Sequence, residues 1–167
     1  MKIFLIGFMG SGKTTVGRQL AMQTGFSFVD TDRLVEMENG MSVAEIFAQH
    51  GEAKFREMEC NILLGLQKRE YTVISTGGGM PCHNDNMSLM LASGKVVYLK
   101  TSPQELFRRL LRSRKERPLV KGKTENELLQ YITEQLSKRE PFYSRAEIIL
   151  DSESFSMEEF LQILNIS

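Results

Sequence analysis

The sequence predicts an α/β fold, a parallel sheet covered by helices, and three observations predict it. Short β-rich runs are followed by helical runs along the 167 residues, the order of strand–helix–strand units. Lys2-Ile3-Phe4-Leu5-Ile6 and Val96-Val97-Tyr98-Leu99 are nearly continuous apolar strings, as strands buried on both faces require. The first string runs into a glycine-rich turn, Gly7 to Gly12, and then into a helical pattern. The length fits one domain, 1–167, able to bury roughly 70% of its unfolded surface.

Strands are expected over Lys2–Ile6, Phe26–Val29, Tyr71–Ser75, Val96–Lys100 and Ile148–Leu150. The first helix is expected from Lys13 to about Thr24. Ser42-x-x-Glu45, Ser102-x-x-Glu105, Thr124-x-x-Glu127 and Ser156-x-x-Glu159 have capping-box spacing, each hydroxyl and each glutamate satisfying one orphan N–H of a helix start. Pro103 adds the first-turn proline signal. Within Glu52–Lys68, Phe55, Met58, Ile62 and Leu66 recur at three and four and mark one apolar helix face. Pro141 ends or kinks the helix begun near Thr124. Two segments interrupt the alternation: about forty residues of helical pattern before Tyr71, and a polar stretch from Ser113 to Lys123. Both read as insertions at the carboxyl edge of the sheet, where open α/β folds bind ligands.

Composition excludes several classes. Twenty-one basic side chains balance twenty-one acidic ones, so no net field draws the chain to nucleic acid or a membrane surface. No stretch of about 18 apolar residues spans a bilayer, and the apolar N-terminal run is too short for a signal-peptide core. Cys60, Cys82, His50 and His83 show no zinc-ligand spacing, so two reduced thiols in the cytoplasm are expected.

Gly7-Phe8-Met9-Gly10-Ser11-Gly12-Lys13-Thr14 is a complete G-x-x-x-x-G-K-[ST] phosphate-binding loop, between a predicted strand and a predicted helix. Glycines let successive N–H groups point inward at phosphate oxygens, and the helix N-terminus adds partial positive charge. Lys13 reaches the β- and γ-phosphates, and the Thr14 hydroxyl is a Mg²⁺ ligand. The motif predicts a nucleoside triphosphate but not a reaction. An Asn-Lys-x-Asp guanine motif, protein-kinase signatures and an acidic end to the third strand are all missing from the sequence, which leaves small-molecule kinases.

Four further places bear on the acceptor. Asp30-Thr31-Asp32 follows the second strand, and alternation puts both acids on one side; one can hold a Mg²⁺-bound water while the other orients and deprotonates a hydroxyl. An exposed turn or a helix cap explains the same pattern when taken alone. Arg56 has Glu52 four residues before it and Glu59 three after, the spacing of an ordinary surface ion pair. Gly77-Gly78-Gly79 costs backbone entropy and packs nothing, which points to a ligand approaching the backbone closely. Arg139 lies near a helix end, where the dipole favours a cation regardless of function.

From Arg108 to Lys123 there are eight Lys or Arg with no interleaved aromatic residue, unlike a nucleic-acid surface. Arg117-Pro118-Leu119 reads as part of a mobile lid that brings Arg117 to the developing charge on the γ-phosphoryl group.

Together, Gly10-Ser11-Gly12-Lys13-Thr14, Asp30-Thr31-Asp32, Phe55-Arg56, Gly77-Gly78-Gly79, Arg117-Pro118-Leu119 and Lys138-Arg139-x-Pro141-x-Tyr143 resemble the shikimate kinase set in order and spacing, over nearly the whole chain. The resemblance implies a three-layer P-loop fold like that of nucleoside monophosphate kinases, with a five-stranded parallel sheet, a substrate-binding insertion near 31–60 and a mobile lid near 112–123. It implies that ATP is held by Gly10, Ser11, Gly12, Lys13, Thr14, Thr15, Arg109 and Arg117, with Lys13, Asp32 and Arg117 catalytic. It further implies that Asp32 contacts the shikimate hydroxyls, that Arg56 and Arg139 clamp its carboxylate with help from Gly77, Gly78 and Gly79, and that Asp30 reaches Mg²⁺ through water, with Ser75 as a further candidate. Two rigid guanidinium forks on one carboxylate is also sound chemistry. One departure stands: relatives often carry an arginine near the adenine after the last strand, where this chain has Asp151-Ser152-Glu153-Ser154, leaving Arg109 to stack on the base.

The expected reaction is in-line transfer from MgATP to the shikimate 3-hydroxyl by a monomer with no nucleic-acid or membrane partner. The rivals are a kinase for another small polyol acid such as gluconate, a nucleotide-gated binding module, and a nucleic-acid binder using the basic stretch.

Overall fold

The computed structural model describes residues 1–113 and 122–166. Five strands, β1 (Lys2–Ile6), β2 (Ser27–Asp30), β3 (Thr72–Ser75), β4 (Lys95–Lys100) and β5 (Ile148–Asp151), form one parallel sheet in the order β2-β3-β1-β4-β5. Seven α-helices lie among the described residues: α1 (Lys13–Thr24), α2 (Thr31–Asn39), α3 (Val43–Leu66), α4 (Asn86–Ser93), α5 (Pro103–Arg112), α6 (Glu125–Tyr143) and α7 (Met157–Leu164). A short 3-10 turn, Met80–Cys82, follows β3.

Strand pleat explains the three layers. Along the central strand β1, Phe4 and Ile6 join one core with Ile74, Val96 and Tyr98, under helices that include α3 and α6. Ile3 and Leu5 point the other way, into a second core with Val73, Val97 and Leu99, closed by Leu20 of α1 and Phe160 of α7. Burying each such side chain contributes about 1.5–3 kcal/mol, so the two faces hold β1 from both sides. The order places β1 between β3 and β4, with the carboxyl ends of β1, β2 and β3 adjacent. The phosphate loop, Asp30-Thr31-Asp32 and Gly77-Gly78-Gly79 leave from that edge, while Arg56, Arg109 and Arg139 are carried by α3, α5 and α6.

The capping boxes at Ser42, Thr124 and Ser156 form with both reciprocal bonds. At Ser102 only half of the box forms. The hydroxyl accepts from the Glu105 N–H, but Glu105 pairs with Arg108 and Arg109, and Glu153 takes the Ser102 N–H instead at 3.2 Å. The long insertion is α2 followed by α3, and α3 breaks at Gly51 (φ 79°, ψ 170°), so the amphipathic pattern from Glu52 is the second of two helical pieces. Pro141 lies inside α6, which ends soon after it at Tyr143.

Two helix-associated glycines make opposite predictions. At Gly94, between α4 and β4, a Cβ would stand 2.7 Å from the Lys2 carbonyl oxygen, backbone that cannot swing away. At Gly65, within α3, a Cβ would meet nothing within 4 Å. Gly94→Ala is expected to lower unfolding free energy by about 1–3 kcal/mol, and Gly65→Ala to raise it by about 0.4–1 kcal/mol. Urea denaturation of the two variants beside the parent checks both signs.

Candidate active site

The chain leaves β1 at Ile6 and must turn into α1 within a few residues, and the glycines make this turn possible. Gly7 (φ 149°), Gly10 (φ 83°) and Gly12 (φ 95°) occupy conformations that L side chains rarely adopt, and a Cβ on Gly7 would press on the Leu99 carbonyl oxygen at 2.9 Å. Gly12 is the N-cap of α1 and has no side-chain cap, and the first turn of α1 contains no acid. The positive end of α1 therefore faces the loop with its partial charge uncompensated by a carboxylate of its own first turn. Lys13, 8% exposed, donates to the carbonyls of Gly7 (2.7 Å) and Phe8 (2.9 Å), which curls its ammonium over the loop. The buried Ser11 hydroxyl has no hydrogen-bond partner among the described residues.

Residues Gly10, Ser11, Gly12, Lys13, Thr14 and Thr15 line a cavity of about 560 Å³. Asp30, Asp32, Ser75, Gly78 and Arg109 reach the same cavity from other elements. Arg109 is fixed over the loop, its Nη1 donating to the Gly10 carbonyl at 3.2 Å and its Nε to Glu105 at 2.8 Å. The Arg108 and Arg109 guanidiniums hold Glu105 down at about 2, so this anchor stays ionised. Ser152, after β5, also lines the cavity, where an arginine was the missing element in the sequence, and its hydroxyl pairs with Thr101 at 2.5 Å. A larger, more open depression of about 1030 Å³ over β4 and β5 contains none of the predicted site residues.

Asp30 and Asp32 meet, but not by strand alternation. β2 stops at Asp30, whose Oδ1 caps α2 by accepting from the Asp32 N–H (3.1 Å) and the Arg33 N–H (3.3 Å). Asp32 sits in the first helical turn, so the turn rather than the pleat brings the two acids together. The helix-cap explanation of Asp30 is thus correct and incomplete, because its Oδ2 also accepts from the Thr14 hydroxyl at 3.2 Å. Burial, then repulsion from Asp30, raises the carboxyl of Asp32 above its usual range.

The three glycines open space for charged side chains. A Cβ on Gly77 would stand 2.6 Å from Asp32 Oδ1 and 2.9 Å from Glu59 Oε1. One on Gly79 would stand 2.6 Å from both Arg56 Nη atoms, and one on Gly78 3.1 Å from Arg139 Nη1. The Gly77 N–H donates to Thr31 (3.0 Å), and the Gly78 carbonyl accepts from Tyr143 (2.6 Å). Arg56 is not the surface pair its spacing allows. Its side chain is 13% exposed, with Nη1 on the buried Glu59 Oε2 at 2.7 Å and Nη2 on exposed Glu52 at 3.2 Å. Arg139 lies over the Phe8 ring, 5.3 Å from its centroid, which ties α6 to the phosphate loop. Burial pushes the carboxyl of Glu59 up to about 7, against the pull of Arg56, and burial likewise raises the Tyr143 hydroxyl. Glu59, Tyr143, Phe8 and Ser152 are site residues whose parts the sequence did not reveal. Glu59 did leave a signal: it stands four residues after Phe55 and three before Ile62, a carboxylate on the apolar face of its helix. Arg117 lies outside the described residues.

Gly77 tests this packing. The carboxylates of buried Glu59 and half-buried Asp32 crowd the place of a Cβ there, so Gly77→Ala is expected to lose about 1–3 kcal/mol, read from the urea midpoint; an unchanged midpoint would mean that Asp32 and Glu59 are free to move apart.

Comparison with known proteins gives the geometry its context. The family profile described as shikimate kinase matches residues 9–166. A shikimate kinase of Parabacteroides distasonis is 48% identical over 94% of this chain and 91% of its own length, and one of Bacteroides thetaiotaomicron is 44% identical over 92% and 87%. The crystal structure of shikimate kinase from Bacteroides thetaiotaomicron superposes with a TM-score of 0.95 at 39% identity, covering 99% of each chain. Shikimate kinase from Acinetobacter baumannii in complex with shikimate gives 0.84 at 33% identity, over 98% of this chain and 90% of the other.

Proposed function

Since the chain belongs to the shikimate kinase family, we propose that it transfers the γ-phosphate of ATP to the 3-hydroxyl of shikimate. The products are shikimate 3-phosphate and ADP, on the route to chorismate and the aromatic amino acids. The observation that carries the reading is the meeting of Asp32, Arg56 and Arg139 at three consecutive glycines beside a phosphate loop.

The roles follow from chemistry. Gly10, Ser11, Gly12 and Thr15 offer main-chain donors to the triphosphate, and Lys13 neutralises its β- and γ-oxygens. Arg109, already anchored on Gly10, stacks on or flanks the adenine. Arg56 and Arg139 grip the shikimate carboxylate, the exposed Glu52 leaving the Arg56 fork to make room. Gly77, Gly78 and Gly79 let the ring approach the backbone. Asp32 orients the attacking hydroxyl and takes its proton; a carboxyl already raised by burial is a better base for this than an exposed one.

Mg²⁺ fits the donor set. Thr14, Asp30 and Ser75 present only oxygens at one corner of the cavity, with a single carboxylate already bonded to the Thr14 hydroxyl. That is the partial shell Mg²⁺ accepts when phosphates and water complete it. Among the described residues no cluster of three or more His, Cys, Asp or Glu forms a closed metal cage. When bound, the ion would neutralise phosphate charge, with Thr14 as direct ligand and Asp30 acting through water. The segments near 31–60 and 112–123 serve as substrate-binding insertion and lid, with Arg117 on the transferring phosphoryl group. Among the described residues no helix is long and apolar enough to cross a membrane. A cytoplasmic monomer is part of the same proposal.

Phosphoryl transfer leaves protein groups mostly positioning and electrostatic work. Lys13→Ala and Asp32→Ala are therefore each expected to lower turnover by about 10²–10⁴-fold, with unchanged circular dichroism. Steady-state ADP release with shikimate, with gluconate and with no acceptor tests the whole assignment. Release that is equal in all three, or wild-type turnover by Asp32→Ala, would refute it.

A further inference from the structure

The roles assigned above leave one buried carboxylate unused. Glu59 is 1% exposed; its Oε2 holds Arg56, while its Oε1 has no hydrogen-bond partner among the described residues and lies against Gly77. The charged and titratable groups around it come from every neighbouring element. Arg56 is on its own helix, Asp32 comes from α2 on the other side of Gly77, and Arg139 from α6. Cys82 of the 3-10 turn senses Glu59, Arg56 and Arg139, and its thiol is pushed up to about 11, mainly by burial. At the rim, His83 Nε2 stands 3.9 Å from Glu52 Oε1, and burial lowers its pKa. From α1, Lys13 acts on Asp32.

Counted as ionised, the groups around buried Glu59 and half-buried Asp32 are balanced: Asp30, Asp32 and Glu59 against Lys13, Arg56 and Arg139. Glu52 adds a further charge to Arg56, but from solvent, with its side chain 58% exposed. A ligand carboxylate that takes the place of Glu52 on the Arg56 fork brings a negative charge into the buried set without removing one. An uncompensated buried charge is costly, and protein groups relieve it by shifting protonation.

We infer that Glu59 takes up a proton when a carboxylate-bearing acceptor binds, so that shikimate enters this pocket together with a proton. The inference rests on the acid-gripping reading of Arg56 and Arg139. Oε1, pointing at Gly77, is the oxygen free to receive the proton, because Oε2 remains the acceptor for Arg56. The proton comes from solvent, and no other bond forms or breaks. Burial has already brought Glu59 to about 7. Both protonation states therefore lie within reach near neutral pH, and a second anion beside Arg56 shifts Glu59 toward the protonated one. The sign follows: binding consumes a proton, so affinity falls as pH rises through 7, by up to about tenfold per pH unit until the pKa of the complex is passed.

Isothermal titration calorimetry of the full chain with shikimate, at pH 7 and pH 8 in phosphate and in Tris, measures the proton directly from the buffer dependence of the heat. The expected result is net proton uptake that is larger at pH 8 than at pH 7. Glu59→Gln, which imitates the protonated form, is expected to abolish the uptake and to bind shikimate at pH 8 at least as tightly as the parent. A Glu59 that only holds Arg56 in place would instead make this variant weaker at every pH. His83→Gln is expected to keep the parental uptake. Heat independent of buffer, uptake that persists in Glu59→Gln, or uptake lost in His83→Gln each overturns the inference. Should Glu59→Gln not fold, the parent and His83→Gln decide, an uptake no larger at pH 8 than at pH 7 counting against it. Folded protein that binds no shikimate in any buffer overturns the kinase reading itself; binding without proton uptake overturns only this inference.

Discussion

Charged groups can share a buried site only where the backbone lets them approach, and in this protein three adjacent positions without a Cβ provide that approach. Around Gly77, Gly78 and Gly79 stand Asp32, Glu59, Arg139 and Arg56, each within about van der Waals reach of the place where a side chain would begin. They arrive from α2, α3 and α6 and meet at the glycines that follow β3. Any Cβ would push one of the four outward, and with it the balance of charge that makes their burial tolerable. Thr31 and Tyr143 complete the arrangement by holding the N–H of Gly77 and the carbonyl of Gly78, so the triglycine strip is itself oriented and not a slack loop.

What was legible in the sequence was what local sequence determines. The phosphate loop could be read whole, because its glycine conformations and the helix start that follows are properties of eight consecutive residues. The five strands were legible within a residue or so at each end; for β1 and β4 burial on both faces writes itself as a nearly unbroken apolar string, while the half-exposed edge strands β2 and β5 were marked by short β-rich runs. The orientation of a helix around its own axis was less accessible. Arg56 with Glu52 and Glu59 spells an exposed ion pair as readily as a buried one, and only the packing against Gly77 and Gly79 decides which partner is inside. Glu59 could have decided it, since a carboxylate on an apolar face needs a partner of its own. The half-formed box at Ser102 failed for a related reason: Glu105 had a choice of acceptor roles, and two arginines outcompeted one N–H.

The two acids at the end of β2 and the start of α2 show how a correct placement can follow from a wrong premise. Alternation assumes that the strand continues, yet Asp30 ends it by capping the next helix. The same carboxylate reaches Thr14 with its other oxygen, so capping α2 and facing the phosphate loop are one act. A helix cap and a binding-site acid are therefore not competing explanations. The cap fixes the rotamer, and the fixed rotamer points the second oxygen into the cavity.

Phe8 joins the two halves of the cavity in a comparable way. Its carbonyl accepts from Lys13 and from the Ser11 N–H, which shapes the phosphate loop, while its ring lies beneath Arg139, which belongs to the side proposed to grip the acid. Gly78 closes the same seam, a Cβ there lying 3.5 Å from the Gly7 carbonyl oxygen and from the Met9 nitrogen. Donor and acceptor groups are therefore set against one another by the packing of a single sheet edge. Alignment of two reactants can account for about 7–11 kcal/mol of barrier reduction, but only if the parts that hold them do not drift relative to each other. Under the proposed roles that condition is met by folding: the residue whose carbonyl holds Lys13 is the one on whose ring Arg139 rests.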